Sequence, residues 1–246
     1  MDKESNGYVI GFAVVICVAC SAALAITFNG LKGQIEANEE FDRQKNVLKA
    51  VGYWDPATEG SKPRAELEGL YEGAIKRLVI RRDGGEVVSE ISREIADALR
   101  AGELERDYRN REYLEIYRAS RDGETRYVVP TLAYGLWSWL YGFLAVSGDG
   151  TEVVGITYYQ DGETPGLGHE VNNPRWQAQW IGKQLYSPSG ELVSVTVKKG
   201  GVNSDDPVEV AHYVDGLSGA TITSNGVSKY LKWNLEAYED FFESIR

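Results

Sequence analysis

Apolar and polar positions fall into three regimes along the chain. The first is continuous: Tyr8 to Phe28 is 21 residues without a charge, 18 of them apolar. At about 1.5 Å per residue, a helix of that length reaches roughly 31 Å and can cross bilayer hydrocarbon. The run exceeds the ~7–15 residues of a signal-peptide core and lacks a strongly basic lead-in, which predicts a retained anchor. Small residues between Ala19 and Ala25 leave a cleaved signal as the competing reading. Lys32 to Lys49 is mixed in charge and helix-compatible, as expected of a stalk leaving a membrane.

The second regime is highly charged: 22 of the 46 residues from Arg81 to Arg126 are Asp, Glu, Lys or Arg. Such a segment is a solvated face or a docking face for a partner subunit. Ile91, Ile95, Ala98 and Leu99 form one stripe and predict a helix around 89–104. The third regime begins after Arg126 with strand periodicity. Trp137, Trp139, Tyr141 and Phe143 alternate, as do Val193, Val195, Val197, and then Val208, Val210, His212, Val214. Gly148-Asp149-Gly150 and Ser189-Gly190 mark turns. Val227, Leu231, Leu235, Tyr238, Phe242 and Ile245 recur every three to four residues, which predicts a closing C-terminal helix. The expected organisation is a tail over 1–7, a transmembrane helix over 8–28, a juxtamembrane stalk over 29–50, and one α+β domain with a β-sheet over 51–246.

Charge narrows the function. With 37 acidic against 26 basic residues the net charge is -11, and the clustered cations that grip nucleic acid are missing, so no nucleic-acid partner is expected. Both cysteines, Cys17 and Cys20, lie in the apolar run, so the polar part has neither disulfide nor thiolate metal site. They read as ordinary packing cysteines. Lys3 before the span against Lys32, Arg43 and Lys45 after it does not orient the helix.

The polar part carries no HExxH, dinucleotide fingerprint, P-loop, GxSxG or CxxC pattern. His212 reads as a packing or edge residue, and His169 has no evident carboxylate partner, so imidazole-assisted hydrolysis is unsupported. Two glycine-bearing segments remain. Glu163-Thr164-Pro165-Gly166-Leu167-Gly168 follows a strand expected over Val153 to Tyr159, and its glycines permit close backbone approach to a ligand. Asp215 to Asn225 lies between a strand and the final helix, an arrangement that gathers free N–H groups around an anion. Plain capping by Ser218, Thr221, Thr223 or Ser224 uses the same residues.

Here the sequence resembles a known family. Asp215 followed by Ser218-Gly219-Ala220-Thr221 resembles the recognition motif for covalent FMN attachment. Gly135-Leu136-Trp137-Ser138, Tyr141-Gly142-Phe143-Leu144, Glu163 to Gly168 and Asp215 to Thr221 come in the order found in the FMN-binding C-subunit of the bacterial sodium-translocating NADH:quinone reductase, behind a single N-terminal span. Asp161 stands where a His is often found in that family, and Ala133 where a Gly is common. The resemblance implies a phosphoester from Thr221 to FMN, with Asp215, Ser218, Gly219, Ala220, Thr164, Pro165, Gly166, Leu167 and Gly168 around the cofactor and Leu167 against the ring. It implies no metal and no catalytic residue of the chain's own, because a separate FAD-dependent flavin transferase makes the link. The implied role is electron relay from NADH toward quinone (ubiquinone) beside other subunits of a sodium-exporting translocase. The implied location is the bacterial inner membrane, in contact with lipid, with a periplasmic C-terminal domain. The span holds no carboxylate, His, Lys or Arg, so the ion path belongs to other subunits. Two alternatives share the motif or the ligand: the covalent-flavin subunit of an Rnf-type complex, and a noncatalytic, membrane-tethered flavin-binding module.

Overall fold

The computed structural model describes residues 6–102 and 104–246. Residues 1–5 of the expected tail, Lys3 included, lie outside the described residues. Helix α1 (Asn6–Ala50) opens the chain, followed by α2 (Pro56–Glu59), α3 (Arg64–Ala74), strand β1 (Ile75–Arg81), α4 (Arg93–Gly102), β2 (Tyr113–Arg121), β3 (Glu124–Tyr134), β4 (Trp139–Ser147) and β5 (Val153–Gln160). After these come α5 (Pro174–Ala178), β6 (Thr196–Lys198), α6 (Pro207–His212), β7 (Tyr213–Asp215), α7 (Thr221–Ala237) and α8 (Glu239–Ile245). The chain divides into two units, one ending at Asp42 and one spanning Arg43–Arg246. In the first, the apolar side chains of α1, such as Val9, Phe12, Val15 and Leu24, are exposed along the helix, as suits a segment whose solvent is lipid.

In the second unit, β1 to β5 form an antiparallel sheet in sequence order. Hairpin chemistry accounts for the meander: Asp122 and Gly123 take positive φ between β2 and β3, and Gly150 does so between β4 and β5. The register runs from Arg126 opposite Ser147 to Tyr134 opposite Trp139, so the β3–β4 hairpin presents its connecting turn, 135–138, at one end of the sheet. Helix α7 lies over β3 and buries Val227, Leu231 and Leu235 in the same core as Leu132, Leu140 and Leu144. The buried Asn234 holds this contact by donating to the Leu132 carbonyl at 2.8 Å and the Thr131 hydroxyl at 3.2 Å. A parallel pair, β6 and β7, delivers the chain to the turn that precedes α7.

Four expectations change. Of Val193, Val195 and Val197 only Val197 lies in a strand, because Ser194 takes a φ of +66° and breaks the extended run. Val208 to His212 is helical rather than a strand. Asp206 caps it by accepting from Val208 N at 2.9 Å and Glu209 N at 3.3 Å, and Pro207 occupies the first turn. Those local signals outweigh an alternation whose members Val208 and Val210 remain exposed. The aromatic alternation begins as strand only at Trp139, because Leu136 and Trp137 belong to the turn. The final helix is two, broken at Tyr238.

Candidate functional site

Three segments distant in sequence meet on one carboxylate. Glu163 is 7% exposed and has no cationic partner among the described residues. Its Oε1 accepts from Trp137 N at 2.8 Å and Ser138 N at 3.0 Å, while Oε2 accepts from Leu136 N at 3.2 Å and the Thr223 hydroxyl at 2.7 Å. Burial alone would raise its pKa; the Thr223 hydroxyl and the three N–H groups outweigh it and hold the carboxyl below the ordinary Glu value. The turn 135–138, the segment 163–168 and the start of α7 are therefore tied together at one point. Gly135 permits this approach, since a Cβ there would lie 2.6 Å from the Glu163 carboxylate.

The start of α7 is open. Its N-cap is Ala220, which supplies no side-chain cap. Ser224 N bonds to Ala220 O at 2.9 Å, but the N–H groups of Thr221, Ile222 and Thr223 have no acceptor among the described residues. The capping alternative therefore fails: the Thr223 hydroxyl goes to Glu163, Ser224 Oγ accepts from Leu217 N at 3.2 Å, and Ser218 and Thr221 point to solvent. Gly219 has φ +71°, and a Cβ there would lie 2.8 Å from Leu167 Cδ2, so only glycine seats this turn against Leu167. The motif's Thr221 is exposed, whereas Thr223, two residues on, is 1% exposed.

Together these segments enclose a cleft of about 250 Å³. Gly219, Ala220 and Thr221 line one side; Thr164, Leu167 and Gly168 line another; Leu136, Trp137 and Ile222 supply apolar walls. Trp137 is 67% exposed, a large aromatic surface kept at the rim. Among the expected site residues, Asp215, Ser218, Pro165 and Gly166 do not line the cleft. Asp215 instead braces the preceding loop, accepting from Val202 N at 2.8 Å, and its carbonyl accepts from Trp176 Nε1 at 2.8 Å. Glu163, Thr223, Leu136, Trp137 and Ile222 were not expected there. Glu163 opened the quoted segment, but its partners lie 25 to 60 residues away and leave no local signal. His169 does have a carboxylate partner, contrary to expectation: its Nδ1 lies 3.0 Å from Asp161, which also accepts from Asn172 at 2.5 Å and Glu163 N at 2.9 Å. His212 behaves as a packing residue, with Nδ1 2.7 Å from the Gln184 carbonyl.

The site suits FMN. An exposed hydroxyl at an uncapped helix N-terminus offers the phosphate three free N–H groups and the positive end of the helix dipole. The cleft is smaller than the ~300–1,000 Å³ of pockets that engulf a ligand, so a group bound there would not be fully enclosed.

Comparison with known proteins agrees with this geometry. The model of the FMN-binding domain family matches residues 135–236, which contain every cleft residue named above. The C-subunit of the Na(+)-translocating NADH-quinone reductase of Pseudomonas aeruginosa is 34% identical, with the match covering 100% of this chain and 98% of the relative. That of Yersinia pestis is 33% identical over 100% of this chain and 95% of its own. The crystal structure of Shewanella oneidensis NqrC superposes with a TM-score of 0.69 at 29% identity, covering 85% of this chain and 98% of that one. With matching sequence from end to end and the same fold in a solved homologue, this chain belongs to the family of Na(+)-translocating NADH-quinone reductase C-subunits.

Proposed function

We propose that Thr221 carries FMN through a phosphoester and that the cleft beside it holds the isoalloxazine ring. The chain is an FMN-binding electron-transfer subunit of the sodium-translocating NADH:quinone reductase, a multi-subunit complex, and is held in the membrane by its single N-terminal helix. When bound, the flavin supplies one-electron chemistry; the residues of the chain supply position and electrostatics. The N–H groups of Thr221, Ile222 and Thr223 hold the phosphate charge. Leu167 and Trp137 pack against the ring, and Thr164 and Gly168 bring polar backbone to its edge. Asp215 and Ser218, outside the cleft, fit a different role: with the exposed Gly219 they form the surface that an FAD-dependent flavin transferase recognises. The domain faces the periplasm in this reading, where a cysteine-free surface is suited to an oxidising compartment.

One observation carries the assignment of Thr221. Its hydroxyl is exposed at the uncapped helix start, whereas that of Thr223 is buried and committed to Glu163. The test is in-gel flavin fluorescence of the denatured protein from cells that contain the transferase. Wild type and Thr223→Ala give a fluorescent band, and Thr221→Ala gives none. A dark wild-type band, or a band that persists in Thr221→Ala, refutes covalent attachment at this residue.

A further inference from the structure

A second cavity, of about 270 Å³, shares no lining residue with the flavin cleft. It is set against the sheet where β3 and β4 pass Thr131 and Tyr141, beneath Leu99 of α4. Three guanidiniums, Arg43, Arg106 and Arg111, line it against one carboxylate, Glu115. That carboxylate is already divided between Arg43, at 3.4 Å, and Arg77. In a chain of net charge -11 this is a local excess of positive charge inside a concave surface.

Arg43 is paired with Glu115, but Arg106 and Arg111 are positioned without being neutralised. Arg106 Nη1 donates to the Tyr141 hydroxyl at 2.6 Å, and its plane lies 5.3 Å from the Trp139 ring centroid and 5.4 Å from that of Tyr141. Arg106 has no carboxylate partner among the described residues. Arg111 places Nε and Nη2 on one carbonyl, that of Glu105, at 2.9 and 2.6 Å, and stacks 4.1 Å from the Tyr108 centroid. Stacking and neutral acceptors fix the orientation of a guanidinium without cancelling its charge, and leave its remaining N–H groups for an anion. The hydroxyls facing the cavity are donors too. Tyr141 accepts from Arg106 and keeps its own proton to donate. Burial pushes the Tyr108 phenol up to about 12, so it stays protonated, and able to donate, at neutral pH. The remaining wall is aromatic: the half-buried Tyr113 and Tyr159 line it, Tyr159 stacking at 5.4 Å on the buried Phe143.

From this excess of donors over acceptors between flat apolar walls, we infer that the cavity is a binding site for a small aromatic carboxylate. The carboxylate would pair with Arg106 and the Tyr141 and Tyr108 hydroxyls, and the ring would lie against Tyr113 and Tyr159. The volume of about 270 Å³ suits a ligand of one or two rings.

The experiment uses the full-length, FMN-loaded protein in detergent, so that the flavin cleft is filled. Equilibrium dialysis with radiolabelled benzoate is compared with uncharged benzamide. Expected are saturable binding of one benzoate per chain, at least tenfold weaker binding of benzamide, and at least a tenfold loss in Arg106→Gln that Arg106→Lys partly restores. A tenfold loss falls short of the strength of a hydrogen bond to a charged group and so is a conservative threshold. Leu99→Trp fills the cavity from its rim without removing a guanidinium, and also abolishes binding while in-gel flavin fluorescence is retained. It decides the matter if Arg106→Gln does not fold. Absence of saturable benzoate binding, equal affinity for benzamide, or unchanged affinity in Leu99→Trp overturns the proposal.

Discussion

Glu163→Gln isolates the junction on which the flavin cleft depends. The wild-type carboxylate accepts four hydrogen bonds, two on each oxygen. A glutamine can keep Oε1 toward Trp137 and Ser138, but its Nε2 then faces the Leu136 N–H, which loses its acceptor. Thr223 can rotate and accept from Nε2, exchanging a charge-assisted bond for a neutral one. Leu136 is exposed and its N–H only part-buried, so orphaning that donor costs about 1 kcal/mol, the low end of the range, and the lost charge assistance adds roughly 1 kcal/mol, for a total of about 2 kcal/mol. For a domain of this size each kcal/mol moves the melting temperature by about 2–4 °C, so the variant should melt about 4–8 °C below wild type at neutral pH. The assay is thermal unfolding of the full chain followed by tryptophan fluorescence. The pH dependence has a defined sign. Because the folded-state pKa of Glu163 is depressed, its stabilisation is complete above the unfolded value, about 4.3, and is lost as pH falls through the folded value. The gap between wild type and variant should therefore narrow in acid. A variant that melts within about 1 °C of wild type at pH 7, where a surface substitution would be expected to fall, refutes the role of Glu163 as the tie between the three segments.

Other outcomes follow from the same geometry. Thr223→Ala should keep its flavin yet lose about 1.5–3 kcal/mol in a thermal melt, since it breaks a buried bond to a carboxylate, whereas Thr221→Ala, exposed, should lose flavin with little change in the melting of the apoprotein. Gly219→Ala places a Cβ at φ +71° against Leu167; it should cost about 1–2 kcal/mol and reduce in-gel flavin fluorescence per chain, because the turn just before Thr221 must shift. Asp206→Ala removes the cap of α6, at a cost of about 0.5–2 kcal/mol seen in the melt, and should leave flavin attachment at wild-type level.

Much of the fold was legible because its signals are local. The uncharged run of α1, the turn at Gly148-Asp149-Gly150, and the three-to-four spacing of Val227, Leu231 and Leu235 each report an element through a few consecutive residues. The misreading at Val208 to His212 was also local. The Asp206-Pro207 pair that starts a helix was present, but alternating valines imitate a strand over so short a stretch.

The sequence by itself determined the anchor and the family-specific order of motifs, including the one that ends on Thr221. Only the tertiary structure decided that the Thr221 hydroxyl is exposed while that of Thr223 is committed, that Asp215 lies outside the cleft, that His169 faces Asp161, and that Glu163 joins the three segments. The reason is physical. Helices, turns and spans arise from interactions among near neighbours, which periodicity records. The burial of one hydroxyl and the exposure of another two residues away depend on a carboxylate 60 positions earlier in the chain, brought there by the packing of α7 on the sheet.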